Sequence, residues 1–474
     1  MARDKTRPAM HMGSSITMDH TAHLSTLGLI LLAATVCIAQ DAAPSHPPAD
    51  LDPETAEIVD ALILDLASFD SGTRGQAARG LKTLGPKAAG AVGALAVLLT
   101  DDVRENRWVA FDALAAIGPP AMGALTGALN SSNDRTRKMA VSHLRLLARR
   151  FELPAEQFLP LFVSAMQDRS AMVRSMAAAA VGDFKADGKG ALEALAKLLD
   201  DQDQSVRHNA LVSICRMGPA AEGAVDAVIR LLDDRDRFLR MHACVVLGKI
   251  GPPARAATLK LVEMYRTPSV NGREEILTAL ARIGPTDNPL AMGLLLDVMT
   301  NGDTTARWRV AWELGRMNAW DERSISALKA ALRDRHQAVR IAAANALSKI
   351  HPDRTDGSDL PASADAVDAL TRMLKDPETR VRWSAIWALG EARGAALSAV
   401  TDLLDVLENN QSPQLLRAAA VNALGKIGLA DGRIVGALEK AAKDRDEKVR
   451  AVAKERLGDL QGSGPGEQVS AASR

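Results

Sequence analysis

The side chains able to do chemistry are few and scattered. Nine histidines are present, and the five in the body of the chain, His143, His208, His242, His336 and His351, form no paired metal-ligand constellation. Imidazoles set apart in this way read as isolated surface histidines. No His-Glu-x-x-His, phosphate-cradling Gly-rich loop, Gly-x-Ser-x-Gly elbow or Cys-x-x-Cys-His occurs. Three cysteines, Cys37, Cys215 and Cys244, are too few for a disulfide framework or a Cys-rich zinc site, and the latter two read as buried thiols. Aspartates and glutamates are plentiful, but they cluster in short turns where capping of helix ends uses them. The pattern predicts no catalytic residue, no metal ligand and no cofactor, and the chain reads as a binder and not an enzyme.

Binding chemistry is better represented. Five of the six tryptophans, Trp108, Trp308, Trp312, Trp383 and Trp387, are candidate partner anchors, because indoles dominate binding hot spots. A basic series, Arg149, Arg216, Lys249, Arg282, Arg316, Lys349 and Lys426, is the second candidate set. What these residues share emerges only against the elements that carry them.

Those elements repeat. An arginine with apolar or small residues three, seven and ten positions later occurs twelve times, at Arg74, Arg107, Arg137, Arg174, Arg207, Arg240, Arg273, Arg307, Arg340, Arg382, Arg417 and Arg450. Successive arginines are most often 33 residues apart, within a range of 30 to 42. Offsets three, seven and ten share one helical face. Gly85-Pro86, Gly118-Pro119, Gly218-Pro219, Gly251-Pro252 and Gly284-Pro285 follow as helix stops. A second apolar stretch precedes each arginine, as in 191–199, 224–232 and 327–332, and an Asp-rich turn such as Asp233-Asp234-Arg235-Asp236 joins the two. Neither helix buries its apolar face alone, so successive pairs must stack. The reading is all-α: a right-handed α-solenoid of about twelve helical hairpins over residues 53–460, with 351–364 a loop insertion.

Segments such as Asp201-Gln202-Asp203-Gln204-Ser205-Val206-Arg207 and Asp376-Pro377-Glu378-Thr379-Arg380-Val381-Arg382 resemble HEAT repeats, and look like the short subtype of phycobilisome-lyase-like proteins. An aspartate six before the arginine stands in seven of the twelve repeats: Asp101, Asp168, Asp201, Asp234, Asp334, Asp376 and Asp444. The resemblance implies that these pairs form a hydrogen-bonded ladder between neighbouring repeats, which is a structural role. It also implies that the arginine-bearing helices line a concave groove. Deoxyhypusine hydroxylase is an enzyme of such repeats whose iron ligands resemble repeated His-Glu pairs, and none of the nine histidines here is followed by Glu.

At 100° per residue, offsets three, seven and ten centre near ~307°, and offsets one and five near ~120°, almost opposite. Trp108, Trp308 and Trp383 occupy offset one, and Trp312 and Trp387 offset five. The basic series centres on offset nine beside them, interrupted by Asp183 and Glu391. Cations in a helix's last turn also complement its dipole and its free carbonyls, and this structural role is the stronger reading of the basic series. The functional expectation is a non-catalytic scaffold holding a protein or peptide along the groove. The alternatives are a lyase-like helper handling a cofactor on a client protein, and a solenoid that binds anions or nucleic acid.

The chain's 474 residues carry 58 basic and 58 acidic side chains, so zero formal charge gives no general pull toward nucleic acid. Arg3, Lys5 and Arg7 precede an apolar run over 24–39, so residues 1–39 read as a signal peptide or N-terminal anchor. The chain is accordingly expected in the periplasm or on the cell surface of a bacterium, and any membrane contact would be through that segment left uncleaved. Residues 40–52 read as a Pro-rich linker and 461–474 as a disordered tail.

Overall fold

The computed structural model describes residues 51–267, 272–284, 288–317, 322–349, 362–428 and 432–462. The signal or anchor segment, the body of the loop insertion, most of the linker and nearly all of the tail lie outside them. The chain divides into two compact units, one ending at Ala177 and one beginning at Ala178.

Among the described residues, twenty-four α-helices form twelve consecutive pairs. The first unit contains α1 (Pro53–Leu66), α2 (Ser71–Leu84), α3 (Val92–Leu98), α4 (Arg104–Ile117), α5 (Met122–Gly127), α6 (Asp134–Arg150) and α7 (Leu159–Ala165), and it ends within α8 (Ala171–Val181). The second unit continues with α9 (Leu192–Leu198), α10 (Gln204–Met217), α11 (Val225–Arg230), α12 (Arg237–Ile250), α13 (Thr258–Arg266), α14 (Arg273–Ile283), α15 (Pro289–Asn301) and α16 (Thr304–Met317). It closes with α17 (Glu322–Ala331), α18 (Gln337–Leu347), α19 (Ala362–Arg372), α20 (Thr379–Glu391), α21 (Val400–Glu408), α22 (Gln414–Ile427), α23 (Gly432–Ala441) and α24 (Glu447–Gly462). Every recurring arginine lies on an even-numbered helix.

The helix ends obey local chemistry. Asp52 caps α1 by accepting the Thr55 N–H at 2.9 Å, and Pro53 fills the first helical position. Asp70, Asp203 and Asp236 cap α2, α10 and α12 in the same way. Gly118 and Gly251 end α4 and α12 at φ of 99° and 78°, a conformation that costs a β-carbon-bearing residue energy.

Packing follows the periodicity. The offset-three residue is buried in all twelve even helices, from Ala77 and Ala110 to Ala420 and Ala453. Small side chains at offsets six and eight let neighbouring even helices approach closely. A β-carbon on Gly248 would stand 2.9 Å from Ala279 Cα, on Gly315 2.7 Å from Ala346 Cα, and on Gly390 2.9 Å from Ala423 Cα. The sequence pattern is thus a packing rule, in which glycine on one repeat faces alanine on the next.

A polar ladder runs beside this core. Arg137 Nε donates to Asp168 Oδ2 at 2.6 Å, and Arg307 and Arg340 reach Asp334 and Asp376 at 2.6 and 2.8 Å. Arg74, Arg207 and Arg417 do the same with Asp101, Asp234 and Asp444. Each ladder aspartate also accepts the backbone N–H two residues on, as Asp168 does from Ser170, and its own carbonyl takes the next arginine, as Asp376 O takes Arg382 Nη1 at 2.7 Å. One aspartate thereby closes its own turn and ties two repeats together.

Candidate partner-binding face

The even helices turn offsets one and five away from the core. Trp108, Trp312 and Trp383 are 53, 40 and 37% exposed, and Trp308 and Trp387 are half-buried. On α16, Trp308 and Trp312 lie one turn apart with ring centroids 6.1 Å apart and planes tilted by 20°, an offset stack. The Arg309 guanidinium covers the Trp308 ring at 5.0 Å and bonds Glu274 Oε2 at 2.6 Å. In the C-terminal repeats, Trp383, Trp387, Leu415, Ala419, Lys426 and Val452 help to line a cavity of about 330 Å³. In the first unit, Trp108 meets the His143 ring edge-on at 6.3 Å.

The basic series divides by its partners. Asp183 and Glu391, which interrupt it in sequence, neutralise their neighbours: Arg216 pairs with Asp183 at 2.8 Å and Lys426 with Glu391 at 2.5 Å. Arg282 Nε leans on the deeply buried Glu313 at 3.5 Å. Lys249, Arg316 and Lys349 are exposed and have no carboxylate partner among the described residues. Arg149 is out of register. Offset nine of α6 is Leu146, and Arg149 lies a turn further on, so it does not belong to the same row.

Three large polar side chains stand at offset six, where most repeats place a small residue. They are His143, Glu313 and Arg456. His143 Nε2 lies 3.2 Å from Asp112 Oδ1 and its Nδ1 2.8 Å from the Met139 carbonyl, while Asp112 Oδ2 takes Lys82 Nζ at 2.6 Å. Burial opposes ionisation of Asp112, but the bonds from Lys82 and His143 outweigh it and hold its carboxyl below the usual range. The break in the small-residue pattern was the available signal for these groups, and motif searching passes over it. His208 and His242 bring their rings to 5.5 Å across neighbouring repeats, and burial lowers the His242 pKa, with His208 adding to it. Cys215 and Cys244 are buried free thiols, and burial pushes Cys244 up to about 12.

Helical hairpins repeated over both units define the class as an α-solenoid. The family of HEAT repeats matches residues 123–215, 192–281, 258–348 and 357–413, more than half of the sequence. The chain belongs to the HEAT-repeat family. It is similar to deoxyhypusine hydroxylase of Aspergillus niger, with 33% identity over 98 residues, covering 21% of this chain and 28% of that protein. Among solved structures it is similar to Kap121p, at 15% identity and a TM-score of 0.50, covering 86% of this chain and 54% of the other. It is also similar to Kap121p bound to the extreme C-terminus of the protein phosphatase Cdc14p, at 14% identity and a TM-score of 0.51, covering 94 and 58%. The chain thus spans about half the length of these structures and less of the curated relative. At such identities the structural likeness shows the fold alone.

One expectation needs correction. The expectation of a protein without catalytic activity does not stand, because the deoxyhypusine hydroxylase to which this chain is similar is an enzyme. Among the described residues no three His, Cys, Asp or Glu side chains are placed to share a metal ion. Nor, among the described residues, is any helix long and apolar enough to cross a membrane.

Proposed function

We propose that this chain is a protein-binding scaffold that holds a protein or peptide partner along its even-helix face, with the tryptophans as anchors. The observation that carries the reading is the exposure of Trp312 and Trp383, both in the second unit, on helices whose opposite side is packed. Indole left in water gains by desolvation against a partner, and rigid aromatic anchors supply a large share of interface affinity. Kap121p, whose fold this chain resembles, has been solved with the extreme C-terminus of Cdc14p bound, which supports a solenoid of this kind as a peptide holder. The Asp–Arg spacing of six supports the short phycobilisome-lyase-like subtype, and the basic and apolar N-terminal segment supports export to the periplasm or cell surface.

The test is affinity capture from an envelope fraction with the wild-type chain and with a Trp312→Ala/Trp383→Ala variant. A specific partner held by the wild type and lost by the variant, with the helical circular-dichroism signal unchanged, is the expected result. Equal capture by both would remove the aromatic anchors from the account.

A further inference from the structure

Offset nine of the even helices is a lane in which neighbouring repeats reach one another. Where the signs are opposite, the two side chains bond: Asp183 Oδ1 with Arg216 Nη1 at 2.8 Å, and Glu391 Oε1 with Lys426 Nζ at 2.5 Å. From Arg216 of the first pair onward the lane is basic at five consecutive repeats, Arg216, Lys249, Arg282, Arg316 and Lys349. Arg216 is satisfied by Asp183, and Arg282 by the buried Glu313. Lys249, Arg316 and Lys349 remain exposed with no carboxylate among the described residues. Like charges set side by side at a spacing that elsewhere makes ion pairs repel one another, and a ligand of opposite sign relieves that repulsion. Arg316 also completes a stripe with Trp308 and Trp312, each four residues from the next on α16.

We infer that the lane from Lys249 to Lys349 takes an extended acidic peptide segment bearing one apolar residue for Trp312. This rests on the reading of the even-helix face as a partner-binding face. Packed helices lie about 8–10 Å apart, and an extended chain advances about 3.3 Å per residue. A carboxylate at every third residue therefore keeps step with one basic side chain per repeat. The charged groups fix register and orientation and speed the encounter, while the apolar residue supplies the desolvated contact beside the indoles. A single-stranded nucleic acid fits less well. Trp308 is stacked on Trp312 and covered by Arg309, so Trp312 alone is left for a base, and one platform does not make the succession of stacked bases that single strands use.

Fluorescence anisotropy on the full chain tests the inference with three probes. The first is a labelled ten-residue peptide with Glu at every third position and one Phe. The second is the same peptide with Lys for Glu, and the third is a ten-nucleotide oligo-dT. The expected result is binding of the acidic peptide alone, weakening as salt rises. A Lys249→Gln/Arg316→Gln/Lys349→Gln variant, whose substitutions lie at the surface, should bind it at least tenfold more weakly with an unchanged helical signal. No preference for the acidic peptide, equal binding by the triple variant, or tighter binding of oligo-dT would overturn the inference. The scaffold reading fails separately. If the acidic peptide does not bind but the Trp312→Ala/Trp383→Ala variant still loses its captured partner, the charge rule falls and the aromatic face stands.

Discussion

Arg340 and Asp376 meet side by side, Nε to Oδ2 at 2.8 Å and Nη2 to Oδ1 at 3.0 Å, each with little of its side chain in contact with water. Arg340 Nη1 additionally donates to the Asp334 carbonyl at 2.8 Å, so one guanidinium joins two turns of the stack. A bidentate pair of this kind is strong only while both partners are present. Removing one leaves a charge buried without compensation, at a cost of about 3 kcal/mol or more. Arg340→Ala is therefore expected to lower the urea midpoint of unfolding markedly, and Arg340→Lys to recover part of the loss, since lysine keeps the charge but not the fork. An unchanged midpoint in Arg340→Ala would show that the ladder is decoration.

The same ladder sets a dependence on acid. Asp101, Asp168, Asp334 and Asp444 are all held below the ordinary value of 3.8. For Asp168 the bond from Arg137 is the leading cause. For the other three, burial opposes ionisation but is outweighed by the arginine and a backbone N–H. Carboxyls depressed in the folded state add stability above their unfolded pKa, and that stability is lost as pH falls through the folded pKa. Thermal midpoints should be level from pH 7 to about pH 5 and then fall steadily below pH 4. A midpoint flat down to pH 2.5 would contradict this.

The glycine–alanine rule makes a paired prediction. Gly315→Ala places a β-carbon 2.7 Å from Ala346 Cα, so α16 and α18 must move apart, at about 1–3 kcal/mol. Gly436→Ala in α23 meets nothing within 4 Å and should be neutral or stabilising by up to about 1 kcal/mol. Urea unfolding of the two variants should shift in opposite directions, or at least differ clearly. Equal shifts would mean that the helices do not pack through these positions.

Much of this architecture was legible in the residues. Offsets three, seven and ten name the buried face because a helix returns to one side at that interval, and Ala77, Ala210 and Ala420 are buried as that interval requires. The outward tryptophans were readable for the same reason, whereas the Asp–Arg ladder was implied by the resemblance to HEAT repeats. Pairings such as His143 with Asp112 and Arg309 with Glu274 were not, because the partners are 31 and 35 residues apart. They become neighbours only when two repeats are superposed in register. The neutralisation of Arg216 by Asp183 was hidden in the same way, since a basic row reads as one feature until its interruptions are seen to be partners.

Cys244 offers a test of the core that requires no substitution. Its thiol is buried and pushed up to about 12 by that burial, with Glu275 adding to the effect, so almost no thiolate is available near neutral pH. Iodoacetamide at pH 8 should leave Cys244 unmodified in the native protein, as read by peptide mass spectrometry, and label it fully in 6 M guanidinium. Rapid native labelling would mean that α12 opens far more readily than its packing implies.

The claim that the even-helix face carries the partner is tested most directly by site-specific photo-crosslinking. A photoreactive phenylalanine analogue would be placed at Trp312 or Trp383 on that face. As controls it would replace Leu259 or Leu290, which are 57 and 53% exposed on the odd-numbered helices α13 and α15. The account predicts a discrete crosslinked partner from positions 312 and 383 and none from 259 and 290. A partner captured from the odd helices alone would contradict it.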